Sequence, residues 1–230
     1  MSAVEYRQHR FSAPPGSTEV LLIRHGESAP ARPDRPFSLV DGQGDPELAP
    51  TGVAHARAVA DRLAGEGLDA LYVTTLRRTA ETAAPLAARL GVEPRVEAGL
   101  REVHLGSWEG GLLRRKTAEG DPVAVRLRAE QRWDVIPGAE TNEAFDARVA
   151  AALDRLHEDH PDQRIAVFTH GGVIAAALAR ATGSRPFAFL GSDNGSLSQL
   201  VLAGPQWILR RFNDTTHLGG GLSQAPQGLT

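Results

Sequence analysis

Three runs of consecutive apolar residues constrain this chain more than any other feature: Val20-Leu-Leu-Ile23, Ala70-Leu-Tyr-Val73 and Ile165-Ala-Val-Phe168. None shows the alternation of a half-exposed strand, so each predicts a strand buried on both faces, as in a parallel sheet. Helical spacing fills the stretches around them, at Val53, Ala56, Val59, Ala60 and Leu63, at Leu76, Ala80, Ala83, Ala87 and Leu90, and at Phe145, Val149, Leu153 and Leu156. Strands alternating with helices predict an α/β chain: a three-layer αβα sandwich around a mostly parallel central sheet. Ligands of such folds bind beyond the carboxyl ends of the strands.

The remaining segments are read from their breakers and charge. Pro30, Pro33, Pro36, Pro46 and Pro50 predict one long loop over residues 29–50. Pro85 predicts a kink or a division in the helical stretch 76–90, and Val92 to Val96 an edge-like strand. Residues 103–140 are mixed and charged, and predict a partly helical insertion that forms a small cap. Gly171-Gly172 opens an alanine-rich helix, and Leu197–Leu202 with Trp207–Phe212 predicts a closing strand pair. Residues 1–17 predict a loose arm and 219–230 a disordered tail.

Composition removes several classes of function. The 230 residues carry a net charge of −3, which gives no basic field for nucleic acid. Cysteine is absent, which excludes disulfides, thiolate metal sites and cysteine nucleophiles. No run approaches the roughly 20 apolar residues of a membrane helix, and the first residues lack a signal-peptide core. The expectation is a soluble, cytoplasmic protein.

Two places share one design. Ile23 is followed by Arg24-His25-Gly26, and Phe168 by Thr169-His170-Gly171-Gly172. If the two strands are neighbours, His25 and His170 converge, with an arginine between them. Guanidinium offers paired planar donors that suit phosphate. The segment Thr74-Thr75-Leu76-Arg77-Arg78 follows a third strand and brings another arginine to a helix start, where backbone N–H groups favour anions. The segment from Leu100 to Gly110 supplies Glu102 and Glu109, either of which could protonate a leaving group. His157 and His160 lie three apart near a helix end. That spacing suits a metal, but interaction with the helix dipole or solvent is the expectation. Ser28 is not in a Gly-x-Ser-x-Gly setting, and no glycine-rich nucleotide loop occurs.

In this order the segments resemble the histidine phosphatase superfamily, the phosphoglycerate mutase-like proteins. "RHGES" at 24–28 matches the first signature. Leu76, Arg78 and Thr82 match the second, with Thr79 in place of the usual alanine. Leu100, Glu102, Gly106 and the "WEG" at 108–110 match the third, and "VFTHGG" at 167–172 the fourth. "DPELAPTGVAHA", "PGAET" and "FNDTTHL" are similar to weaker segments. The resemblance covers residues 18–218, read as one domain. It implies that His25 is a nucleophile held in one tautomer by a carbonyl near Gly26, and that Arg24, Arg78 and His170 bind the phosphoryl oxygens. It also implies that Glu102 is the general acid and that His170 works protonated. The spacing of the second signature selects Arg78 over Arg77, and that of the third selects Glu102 over Glu109. One departure follows Ser28, where the family often has a phosphate-contacting asparagine and this chain has "APARPDRP".

The resemblance implies a phosphomonoester hydrolase that acts through a phosphohistidine on a small phosphorylated metabolite, with no cofactor and no metal. Characteristic mutase cap segments are not found in 103–140, so hydrolysis is favoured over phosphoglycerate mutase-type transfer. A catalytically inactive phospho-ligand-binding protein is the other alternative. Substrate identity and oligomeric state stay open.

Overall fold

The computed structural model describes residues 6–219. Their elements run β1 (Thr18–Arg24), β2 (Leu39–Val40), β3 (Gln43–Gly44), α1 (Pro50–Leu63), β4 (Ala70–Val73), α2 (Arg77–Leu90) and β5 (Arg95–Val96). Then follow α3 (Leu112–Ala118), α4 (Pro122–Glu130), α5 (Asn142–Asp159), β6 (Arg164–Thr169), α6 (Gly171–Thr182), β7 (Leu197–Ala203) and β8 (Gln206–Asp214). The expected tail lies outside the described residues, apart from Gly219. Residues 6–17 form neither helix nor strand.

Six strands make one sheet in the order β5-β4-β6-β1-β7-β8. The pairs β5/β4, β4/β6 and β6/β1 are parallel, while β1/β7 and β7/β8 are antiparallel. The consecutive apolar runs have a direct cause. Successive side chains of a strand point to opposite faces, so in β1 Val20 and Leu22 join one hydrophobic cluster while Leu21 and Ile23 join the other. Val59, Leu63 and Leu86 of α1 and α2 cover the second face. Phe145, Val149, Leu153, Ile174 and Leu178 of α5 and α6 cover the first. The molecule is the expected αβα sandwich, and its sheet is mostly parallel.

Three details depart from the sequence reading. The segment 29–50 is not wholly irregular: β2 and β3 pair through a turn in which Asp41 and Gly42 take positive φ, 47° and 80°. Its last proline is the first residue of α1, where the missing N–H costs nothing. Pro85 does not divide its segment: α2 is one helix of 14 residues, held by burial of Ala83, Leu86 and Ala87 on either side of the proline. The edge strand is shorter than expected, because only Arg95 and Val96 pair with β4. Among the described residues no helix is long and apolar enough to cross a membrane.

Candidate active site

β1 and β6 are hydrogen-bonded neighbours in register, with Arg24 opposite Thr169. Both histidines therefore leave the sheet at the same edge. The His25 N–H donates to the Thr169 carbonyl at 3.0 Å, and the two imidazoles meet edge to face with centroids 5.3 Å apart. Arg78 enters from the first turn of α2, after the parallel strand β4. Arg24, His25 and Arg78 are all buried, and they line one chamber of about 140 Å³ together with Glu102, Glu109 and Gly172.

His25 is fixed in one tautomer. Its Nδ1 lies 2.7 Å from the Gly26 carbonyl, which can only accept, so Nδ1 carries the proton and Nε2 keeps its lone pair. Its backbone is held as firmly. Asn194 Nδ2 donates to the His25 carbonyl at 3.0 Å, and Thr82 Oγ1 accepts from Gly26 N–H at 3.0 Å. Gly195, with a φ of 77°, donates to the Arg24 carbonyl at 3.0 Å. Burial first, then the charges of Arg78 and Arg24, push the His25 pKa well below the usual histidine value. His170 is pushed the same way, by burial, then Arg78, His25 and Arg24. Thr74 Oγ1 lies 3.0 Å from His170 Nε2, while His170 Nδ1 is buried with no hydrogen-bond partner.

The arginines sit where their charges cost most. Burial lowers the pKa of Arg24 and of Arg78, and Glu102 is in each case the largest opposing influence. Arg24 donates to the Ser192 carbonyl. Arg78 Nη1 donates to the Gly44 carbonyl at 3.0 Å, and the guanidinium lies 4.0 Å from Asp45. Arg77 points away: it is exposed and pairs with Glu81 at 2.8 Å.

Glu102 is held by a frame that local sequence does not announce. Its carboxylate accepts the N–H of Val103 at 3.0 Å and of Gly172 at 3.2 Å. Its backbone carbonyl accepts from Arg148 Nη2 at 2.9 Å and from Gln43 Nε2 at 2.7 Å. Arg148 also grips the carbonyls of Gly99 and Arg101, and its guanidinium is paired with Glu140 at 2.8 Å. Glu109 lines the same chamber and, like Glu102, has both oxygens engaged by backbone N–H groups, Leu105 at 2.8 Å and Gly44 at 2.8 Å. What sets Glu102 apart is that it acts on both buried arginines, and Glu109 only on Arg78 and more weakly.

The structure thus brings together His25, His170, Arg24, Arg78 and Glu102. It adds Arg114 of α3, which lines the chamber and hydrogen-bonds Ser28 and Ala29. His157 and His160 lie elsewhere. His160 caps the C-terminal end of α5, where the dipole part of the expectation places it, but it is not solvated. It is buried, with Tyr72 Oη 2.8 Å from Nε2 and Gln163 on Nδ1. Among the described residues no group of three or more His, Asp or Glu side chains could hold a metal.

Comparison with known proteins agrees with this geometry. The family model of the histidine phosphatase superfamily, branch 1, matches residues 20–215. Phosphoglycerate mutase-like protein 4 of Arabidopsis thaliana is 34% identical over 207 residues, covering 87% of this chain and 86% of that protein. The metal-independent phosphoserine phosphatase of the same plant is 32% identical, covering 87% of this chain and 83% of its own length. The crystal structure of the alpha-ribazole phosphatase from Shigella flexneri superposes with a TM-score of 0.69 at 25% identity, covering 90% of this chain and 100% of that one. Two histidines at the ends of adjacent parallel strands, two buried arginines and a match across nearly the whole sheet have one reading: the chain belongs to the histidine phosphatase superfamily.

Proposed function

We propose that this protein hydrolyses phosphomonoesters of small metabolites by way of a phosphohistidine on His25. The observation that carries the reading is the state of His25, a neutral imidazole whose Nδ1 proton is committed to Gly26 and whose Nε2 is free to attack among buried arginines. Relatives named as phosphatases favour water as the final acceptor.

In the first step the Nε2 lone pair forms an N–P bond as the P–O bond to the leaving alcohol breaks. Glu102, in its acid form, gives a proton to the departing oxygen. Arg24, Arg78 and His170 hold the nonbridging oxygens and stabilise the charge of the transferring group. In the second step the Glu102 carboxylate takes a proton from water. The water oxygen then bonds to phosphorus, the N–P bond breaks, and inorganic phosphate leaves. His170 meets opposing influences here. The protein's own groups push it toward neutrality, so its protonation in the complex depends on the negative charge of the phosphoryl group.

The test is rapid acid-free quenching with radiolabelled substrate. A phosphoenzyme that is acid-labile, alkali-stable and absent from His25→Asn is the expected result. Turnover of that variant at the wild-type rate would overturn the mechanism. Transfer of the label to an added sugar acid, rather than to water, would favour the mutase reading.

A further inference from the structure

Arg114 lies outside every segment that carries the family signatures, yet it occupies the same chamber as Arg24, His25 and Arg78. Its guanidinium is fastened to the first signature: Nη1 donates to the Ala29 carbonyl at 2.9 Å and Nη2 to Ser28 Oγ at 2.7 Å. The ring of Phe37 lies against it, 5.3 Å from its central carbon. All three contacts are neutral. Among the described residues it makes no salt bridge, whereas the exposed arginine next to it, Arg115, pairs with Glu119.

Such a placement is costly. Burial, then the charges of Arg78 and Arg24, push the Arg114 pKa down to about 10, and only the more weakly felt Glu27 opposes them. Arg114 is partly buried, and a half-desolvated cation beside two like charges weakens a fold unless an anion completes it. Arginine has five N–H donors, and two hydrogen bonds leave donors for a further acceptor. The direction of that acceptor follows from the anchor. Ser28 and Ala29 belong to the loop that leaves His25, and Arg114 is among the charges that depress His25 itself. Leu127, Trp133 and the exposed Arg128 also line the chamber.

We propose that Arg114 is a third arginine of the phosphoryl pocket, contributed by the segment between Glu102 and α5, and that it binds a nonbridging phosphoryl oxygen together with Arg24 and Arg78. The proposal rests on the phosphatase reading above. It adds that the cap segment takes part in binding the reacting group, so that the phosphoryl group, Ser28 and α3 are tied together in one complex.

Inorganic phosphate is the discriminating probe because it has no leaving group. Calorimetric titration of wild type, Arg114→Lys and Arg114→Met is expected to show weakening in the methionine variant of roughly 10- to 100-fold, the range of a charge-assisted pair, with partial recovery in the lysine variant. Without phosphate, Arg114→Met should melt at or above the wild-type temperature, since a partly buried charge beside two like charges is gone. Its rise in Tm on adding phosphate should be smaller. A purely structural Arg114 would do the reverse, with a lower Tm without phosphate and an undiminished rise. In kinetics, Arg114→Met should lose a similar factor in kcat/KM on nitrophenyl phosphate and on phosphoserine. A loss confined to phosphoserine would assign Arg114 to the leaving-group carboxylate and overturn the proposal, as would equal phosphate affinity in wild type and variant. If wild type neither binds phosphate nor hydrolyses any monoester, the phosphatase reading itself fails, and this inference fails with it.

Discussion

The imidazoles of His25 and His170 stand edge to face, their planes 62° apart and their centroids 5.3 Å apart. Arg78 and Arg24 act on both rings, and both pKa values are driven down, by burial first. Two neutral rings in contact tolerate each other, and two imidazolium ions would not.

Stability should therefore depend on pH in a definite window. In the unfolded chain both histidines take up protons near pH 6.5, while the folded protein resists doing so until much lower pH. The unfolded state binds more protons in between, so stability is full above about pH 6.5 and falls as pH drops from there toward the folded values. Urea midpoints measured from pH 8 to pH 5 should decline in wild type and flatten in the His25→Asn/His170→Asn double variant. An equal decline in both would assign the effect elsewhere, to His55 and His217, which are also lowered by burial.

Glu102 and Glu109 should separate by leaving group. Glu102→Gln is expected to slow hydrolysis of an alkyl phosphate by about 10²–10⁴-fold, the usual worth of general acid–base catalysis. Its effect on phosphoenzyme formation from nitrophenyl phosphate should be small, because nitrophenolate leaves without a proton. Glu109→Gln should show no such dependence, since of the two carboxylates Glu102 is the one felt most strongly by both Arg24 and Arg78. Stopped-flow kinetics with both esters would exchange the roles if the pattern is reversed.

Adjacent arginines give a sharper contrast. Arg78→Gln should lower kcat/KM by more than 100-fold, about the worth of a buried charge-assisted contact made in the transition state. Arg77→Gln should change it by less than about threefold, because Arg77 is half exposed and its ion pairs are of the weakly stabilising surface kind. Steady-state assays on one substrate decide it.

Gly26 and Gly52 press backbone against backbone: a Cβ on Gly26 would strike the Gly52 carbonyl, and one on Gly52 would strike that of Glu27. The start of α1 thus lies directly under the signature loop. Gly52→Ala should cost about 1–3 kcal/mol of stability through overpacking and lower turnover as the loop shifts. Denaturant unfolding alongside kinetics would reveal a tolerant site if neither changes.

The segments after β1, β4 and β6 could be read from the sequence because each is an apolar run ending in a fixed group of residues, while residues 100–110 follow no such run and were legible only by their family signature. Arg77 against Arg78 was closer, since adjacency alone does not tell which side faces the chamber; burial of the second does. Arg148, Gln43 and Asn194 carry no such mark. Each works by reaching a backbone carbonyl far along the chain, as Asn194 does with His25 across 169 positions. Arg114 is hidden by composition, being one of 25 basic residues with nothing local to single it out. The helix-end position of His160 was legible, but its burial was not, because its partner Tyr72 lies 88 positions away.

The loop after the signature is pinched at its base. Ala29 N–H donates to the Glu47 carbonyl at 2.8 Å, Ala49 N–H donates to the Glu27 carbonyl at 2.9 Å, and Ser28 bridges to Leu48. Everything from 30 to 46 therefore departs from and returns to a closed neck. Closing a longer loop on a fixed neck adds little entropic penalty, roughly 0.6 kcal/mol per doubling of length. The outer part of the segment, residues 30–36, is in effect an interchangeable cassette, whereas Gln43, Gly44 and Asp45 at its inner end hold Glu102, Glu109 and Arg78 and must stay. Swapping residues 30–36 alone among members of the superfamily, with Phe37 and residues 43–45 retained, is thus expected to alter substrate preference while the groups of the site keep their places.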